Sequence, residues 1–481
     1  MNQSTWKTEK IIGKGMILPY ILLTTLFFAW AIPNNLTDTM LAAFKRIMSF
    51  SDSKTAWIQI VCYFLGYGCC ALPGALFIKR YSFKSGVLLG LTLFSTGALL
   101  FYPAMTTSAI NMELSFYTYL FAIFVLFAGL SILETSTNSY ILALGPENTA
   151  TRRLNLSQSF NPFGAITGAI ISQVFILSQL NGLTATERAQ LPPASLQVIQ
   201  QRELSAVTTA YVVMGLVLIV LLIMIRITKM PHLSEGDNKI DLKATVKRLA
   251  HNKNYVWGVV AQFFDIGAQV AVWSFIIRYS MQQLNFDGVI ASLGSNASSE
   301  MVSGALRSVE PLAAGFYNLC ETLGITAFIP NTSEQAAATY YIMSLFLFVI
   351  MRFVCTWLMK YIKAYKILLV MSLLAVCFSL GAIFGHGRFG VYSLICVSGC
   401  LSLMFPTIYG YGLKGLGNDT KIGGSGMVMS IAGAAVLTQI QGIISDHTGS
   451  IMAAFIVPAI AFTIIACYSF FIARKQEITV K

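Results

Sequence analysis

Charge is what this sequence of 481 residues has least of: Asp, Glu, Lys and Arg together make up 11% of it, where a soluble domain carries about 25%. That deficit argues against a protein with a fully solvated surface. The nine cysteines are scattered, with no Cys-x-x-Cys and no Cys/His grouping, so neither a zinc site nor a disulfide framework is indicated. Most fall inside apolar runs and read as small core residues. The four histidines show no metal-ligand spacing. His-Glu-x-x-His, Gly-x-Ser-x-Gly and the phosphate-binding P-loop are all missing, which argues against the common hydrolase and nucleotidase chemistries. No enzyme activity, metal or organic cofactor is therefore expected. A cleavable signal peptide is not evident either: the first apolar run is too long for one, and no small-residue cleavage site follows it.

Hydrophobic residues, by contrast, make up 56% of the chain. A bilayer core takes about 20 apolar residues per helix, and about twelve such segments can be laid end to end. They run near 16–45, 54–78, 83–106, 112–144, 153–180, 206–228, 254–282, 336–361, 365–385, 389–413, 421–445 and 450–473. The first, fourth and fifth are interrupted by polar residues or Pro. The expected fold is an all-α membrane protein of twelve transmembrane helices in two pseudo-symmetric six-helix bundles. The polar stretch 230–253 divides the spans six and six, giving an N-terminal bundle (1–229), a cytoplasmic linker (230–253) and a C-terminal bundle (254–481). Short repeats support two like halves. Leu144 to Thr149 reads LGPENT and Leu416 to Thr420 reads LGNDT, each between the fourth and fifth spans of its half. Transporters built from two such halves bind their cargo near the bilayer midplane.

The net charge of +12 lies in short loops between spans, which argues against nucleic acid as a partner. With the N-terminus in the cytoplasm, about 23 Lys and Arg lie inside and about 7 outside, the positive-inside pattern. Both termini are then cytoplasmic, and a multi-pass protein of the inner (plasma) membrane is expected. Lys45, Arg46 and Lys54 run against the trend. Two outer loops are long. The 283–335 insertion has a middle that suits amphipathic helix, and it reads as a lid, a partner site or a tolerated insertion.

Acids inside the spans carry the functional signal. Asp38 follows Pro33, Asn34, Asn35 and Thr37 in the first span, and Glu134 sits among Ser131, Thr135 and Asn138 in the fourth. A charged side chain at mid-membrane costs about 3 kcal/mol even on mild insertion scales. Burial disfavours the charged form of a carboxylate, which suits a group that takes up and releases a proton. The alternatives are a solvated Asp38 near the outer interface and a structurally paired Glu134; no Lys or Arg lies mid-span in the N-terminal half to pair with it. Asn35 and Asp38 share a helix face. So do Gln158 and Asn161 in the fifth span, with Phe160 and Phe163 beside them. Gly164 and Gly168 form a pattern that permits close helix packing. The seventh span offers Gln262, Asp265, Gln269, Trp273 and Ser274. Amides that bond hydroxyls, with aromatics that stack on an apolar ring face, suit a carbohydrate.

The runs WAIPNNLTD, LETSTNSYILALGPEN, RLNLSQSFNPFGA, AQFFDIGAQVAVWSFIIRY, FPTIYGYGLKGLGNDTKIGGS and GIISDHTG, in that order, resemble the L-fucose:proton symporters of the major facilitator superfamily. The resemblance spans nearly the whole chain except 283–335. It implies alternating access by rocking of two six-helix bundles. It also implies Asp38 and Glu134 as the proton-linked carboxylates, with Asn35, Gln158, Asn161 and the cavity-facing aromatic Phe348 as sugar contacts. Three positions depart from the pattern. Phe405 stands where the family has a Tyr, Asn138–Ser139 where it has an Asn-Pro pair, and Asp265 brings an acid to a position usually without one.

The expectation is therefore proton-coupled uptake of a monosaccharide, L-fucose first, with glucose, galactose or N-acetylglucosamine as alternatives. Asp38 and Glu134 couple the proton. Asn35, Glu134, Gln158, Asn161, Gln269, Trp273, Phe348 and Phe405 form the substrate site, and Asp265 is an additional candidate titrating group. The partners are the sugar, the proton and the lipid bilayer, and the chain is expected to be monomeric. A drug or peptide exporter and a non-transporting nutrient receptor are the remaining readings.

Overall fold

The computed structural model describes residues 11–13, 15–48, 57–171, 176, 188, 190–231, 241–293, 299–322, 324–325, 329–330 and 333–478. Within α1 the side chains of Asn34, Asn35, Thr37 and Asp38 are outside the described set, as are residues 232–240 of the linker, the later part of the fifth span and parts of both long outer loops.

Each apolar run forms helix because an isolated backbone in hydrocarbon must satisfy its own hydrogen bonds. Polar caps mark where several runs begin. The Ser82 hydroxyl accepts from the N–H of Ser85 at 3.1 Å. The Asn111 side chain accepts from Glu113 N–H at 2.7 Å and Leu114 N–H at 3.3 Å. Such caps take up N–H groups that the first turn leaves without partners.

In the N-terminal half these helices are α1 (Ile17–Met48), α2 (Ile60–Arg80), α3 (Phe83–Thr107), α4 (Met112–Ala143), α5 (Ala150–Gln158), α6 (Asn161–Ile171) and α7 (Pro193–Ile227). The linker contributes α8 (Leu242–His251). The C-terminal half begins with α9 (Lys253–Leu284), and the 283–335 insertion forms α10 (Phe286–Ser292), α11 (Ser299–Ser308) and α12 (Pro311–Thr322). Then come α13 (Ser333–Leu358), α14 (Ala364–Phe384), α15 (Arg388–Leu401), α16 (Met404–Leu413), α17 (Thr420–Met429), α18 (Gly433–Thr448) and α19 (Ile456–Ile478). Among the described residues ten helices are long and apolar enough to cross a membrane, and Ile17–Pro33 is a shorter apolar helix. No strand occurs among the described residues.

The expected interruptions fall differently from their sequence cues. The first span runs helical straight through Pro33. The fourth is one unbroken helix, because its polar side chains turn back on their own backbone: Thr135 Oγ1 donates to the Ser131 carbonyl at 2.8 Å and Ser136 Oγ to that of Ile132 at 2.6 Å. The fifth does break, between α5 and α6, and so does the eleventh, between α17 and α18. The two breaks match. Each follows a 3₁₀ turn (Glu147–Thr149 or Gly417–Asp419) and a short helix (α5 or α17).

Close helix contacts depend on missing side chains. A Cβ on Gly129 of α4 would lie 2.3 Å from the Phe94 nitrogen of α3, and one on Gly164 of α6 would lie 2.1 Å from the Phe28 carbonyl oxygen of α1. Packing without a Cβ lets backbones meet where hydrophobic driving force between helices is weak.

The chain forms two compact units. The first is Met1–Val260 with Pro406–Ala435, and the second is Ala261–Phe405 with Val436–Lys481. In the first, α17 packs on α2 and α4. The fully buried Arg153 closes the end of α4. Its guanidinium donates to the carbonyls of Ile141 at 2.6 Å, Leu142 at 2.5 Å and Ile11 at 2.9 Å, answering acceptors that a helix C-terminus leaves open.

Candidate functional site

In the first unit the candidate residues gather around Glu134. Ser131, Thr135 and Asn138 are buried with it on α4, and Glu134 itself is 7% exposed. The Tyr67 hydroxyl and the Asn138 amide lie beside its carboxylate. Tyr67 is placed there by a wide π-helical first half of α2, Ile60–Cys69, a distortion common at functional sites. Gln158, the last residue of α5, donates from Nε2 to Asn138 Oδ1 at 3.1 Å. Asn138 Nδ2 has no hydrogen-bond partner of normal geometry. Asn161 opens α6 and donates to the Phe27 carbonyl of α1 at 3.2 Å. One turn before Gln158, Asn155 donates to the Thr151 carbonyl at 2.9 Å and to Thr407 Oγ1 at 3.2 Å. Ser139 and the Tyr409 hydroxyl meet at 3.3 Å. Glu134 and Gln158 are thus joined through Asn138 at the ends of α4 and α5, while Asn161, just past the break, turns to α1. Asn35 and Asp38 belong to the backbone of α1, but their side chains lie outside the described residues.

In the second unit, α9 presents Gln262, Asp265, Gln269 and Trp273 at intervals of three and four, the spacing of one helix face. Gln262 and Asp265 are buried, whereas Gln269 and Trp273 are half-buried and Ser274 is exposed. The Trp273 indole donates to Ser398 Oγ at 3.2 Å and meets the edge of Phe348 with centroids 5.2 Å apart. The Arg352 guanidinium lies over the Phe348 ring, 4.6 Å from its centroid, and its Nε donates to the Ser402 carbonyl. Phe348 and Phe405 are both buried. Among the described residues no three His, Cys, Asp or Glu side chains cluster as metal ligands.

Several members of these groups, Arg352 and Tyr67 foremost, were not singled out from sequence. Arg352 is a base in the middle of an apolar run, FLFVIMRFVCTW, and the rule that flags Asp38 applies to it equally. Tyr67 carried no signal, because a Tyr in an apolar run reads as packing.

Comparison with known proteins agrees with this geometry. The model of the Major Facilitator Superfamily matches residues 20–421. The chain is 35% identical over 473 residues to the L-fucose-proton symporter of Haemophilus influenzae, covering 96% of this chain and 98% of that one. It is 27% identical over 461 residues to a glucose/galactose transporter of Brucella abortus, covering 96% and 95%. The crystal structure of the Escherichia coli fucose:proton symporter in the outward conformation superposes with a TM-score of 0.77 at 32% identity, covering 95% of this chain and 98% of that one. The chain belongs to the Major Facilitator Superfamily, in the branch that holds the L-fucose–proton symporters.

Proposed function

We propose that this protein takes up a monosaccharide, L-fucose first, together with protons by alternating access. The observation that carries the reading is the buried chain of Glu134, Asn138 and Gln158: a carboxylate with amides on two helices, enclosed in a membrane protein. A carboxylate so placed binds a proton in one state and accepts sugar hydroxyls in the other. Asp38 carries the coupling proton, and Glu134 links it to the cargo. Asn35, Gln158, Asn161 and Gln269 orient the sugar, while Trp273, Phe348 and Phe405 offer apolar faces to its ring. Asp265 is a further titrating group. The two halves, 1–229 and 254–481, rock about the site. The protein works as a monomer in the inner membrane with both termini in the cytoplasm, as the distribution of Lys and Arg supports.

A second reading, a glucose or galactose carrier, is favoured by the Brucella relative and by Phe405, which lacks the hydroxyl of the family's Tyr. Uptake of labelled L-fucose into proteoliposomes, with and without a pH gradient and with competing hexoses, decides between them. L-fucose accumulation should require the gradient and resist excess glucose and galactose. Asp38→Asn should abolish accumulation, and normal pH-driven uptake by that variant would remove the assignment.

A further inference from the structure

Asp265 stands apart from the ordinary buried ion pair. It is 1% exposed on α9, and among the described residues neither carboxylate oxygen has a hydrogen-bond partner. Gln262, one turn earlier on the same face, is 0% exposed, and both of its amide atoms are equally unpartnered. The charged group facing Asp265 from the neighbouring helix is Arg352 of α13, itself 4% exposed. Cys355, one turn further along α13, lies beside Arg352. Arg352 is engaged elsewhere: its Nε donates to the Ser402 carbonyl and its plane lies over Phe348.

This chain also shows what a structural buried pair looks like. Arg188 and Glu203, each 1% exposed, meet with two hydrogen bonds of 2.9 and 2.5 Å. Buried charges are tolerated when they are paired and hydrogen-bonded in that way. An ionised Asp265 without donors has only through-space attraction from Arg352 to offset its lost hydration. A proton on Asp265 removes the buried charge, and Gln262, three residues away on the same helix face, then offers a side-chain acceptor and donor that a change of rotamer brings to the carboxylic acid.

We propose that Asp265 is a second proton-carrying site, located in the second unit. It carries its proton while Arg352 is held by Ser402 and Phe348, and is discharged when Arg352 leaves them and donates to the carboxylate. The loading step forms an O–H bond to a proton from solution, and discharge returns that proton as Arg352 supplies the compensating charge. Under the symport reading above, on which this rests, each sugar then moves with one proton more than the Asp38–Glu134 pair alone provides.

The number of protons per sugar is read from proteoliposomes held at a series of known proton-motive forces. The logarithm of the L-fucose accumulation ratio rises with that force in proportion to the protons carried per sugar. The wild type should show the two-proton slope, and Asp265→Asn, melting as a single folded species in detergent, should show half of it. A one-proton slope in the wild type overturns the proposal, as does an undiminished slope in Asp265→Asn. If that variant does not fold, Arg352→Gln takes its place: without the discharging charge the same halving is expected, and an unchanged slope overturns the proposal. Failure of the symport reading looks different, since the wild type would then show no dependence of accumulation on the proton-motive force.

Discussion

The Gln158 amide donates to Asn138 Oδ1 across 3.1 Å, tying the end of α5 to the turn of α4 that carries Glu134. Glu134 and Asn138 are four residues apart and share a face, so Gln158 holds the group that sits beside the carboxylate. Gln158→Ala removes a candidate sugar donor and frees Asn138 together. A lost hydrogen bond of about 1.4 kcal/mol corresponds to roughly a tenfold rise in KM. Initial rates of L-fucose uptake measure this. A variant with a lowered melting temperature but an unchanged KM would leave Gln158 a purely structural strut.

Gly164 gives a second test, of packing rather than chemistry. The Cβ of Gly164→Ala would lie 2.1 Å from the Phe28 carbonyl oxygen, and backbone cannot turn aside as a side chain does. α1 and α6 must separate, at a cost of about 1–3 kcal/mol by analogy with overpacked cores. A lower melting temperature in detergent is expected. Gly304→Ala is the control: nothing lies within 4 Å of its Cβ, and a helix gains from replacing Gly. Equal melting temperatures for the two variants would contradict the close contact.

Much of this architecture was legible because hydrocarbon allows few solutions. The apolar runs near 83–106 and 112–144 are helices that begin at Phe83 and Met112, just behind the caps Ser82 and Asn111 that the structure supplies. Glu134, Gln158 and Asn161 were legible because amides and acids are rare at that depth. The helix breaks were less so. Pro33 reads as an interruption, yet α1 continues through it, while the eleventh span breaks around Ser430 where no Pro marks the place. Tertiary packing decides such points, and sequence punctuation alone does not report it. The approach of Arg352 to Asp265 brings together residues of two helices, and no spacing rule along one chain segment reaches it.

The Arg188–Glu203 pair predicts a strong effect from residues outside the proposed sugar site. Both side chains are 1% exposed and joined by two hydrogen bonds. Glu203→Gln leaves the guanidinium buried without its counter-charge, which typically costs about 3–5 kcal/mol. The single variant should express poorly or melt well below the wild type. Replacing both partners together, as Arg188→Met with Glu203→Leu, removes both buried charges and should recover most of the loss. Equal damage from the single and double variants would show that the pair's charges are not what stabilises this end of α7.

The last prediction concerns pH. Asp419 lies in the turn just ahead of the eleventh span, where Arg248 of α8 donates to both of its oxygens, at 2.8 and 2.7 Å, and Thr245 Oγ1 to one of them at 3.3 Å. The Arg248 guanidinium, with help from Thr245 and Lys79, holds the Asp419 carboxyl below the usual carboxylate range against the opposing effect of partial burial. A carboxylate lowered on folding stabilises fully above the pKa of the free residue, about 3.9, and loses that contribution as pH falls through its folded value. The clamp should therefore be insensitive to pH across the neutral range and open only in acid below about pH 4. Arg248 is more than half exposed, so solvent screening keeps the effect on global stability small. Amide hydrogen exchange is the suitable probe: α8 and the first turn of α17 should hold steady protection from neutral pH down to about pH 5 once the intrinsic pH dependence of exchange is removed, and Asp419→Asn should lose it throughout. A transition near neutral pH would mean that another group controls the docking of α8.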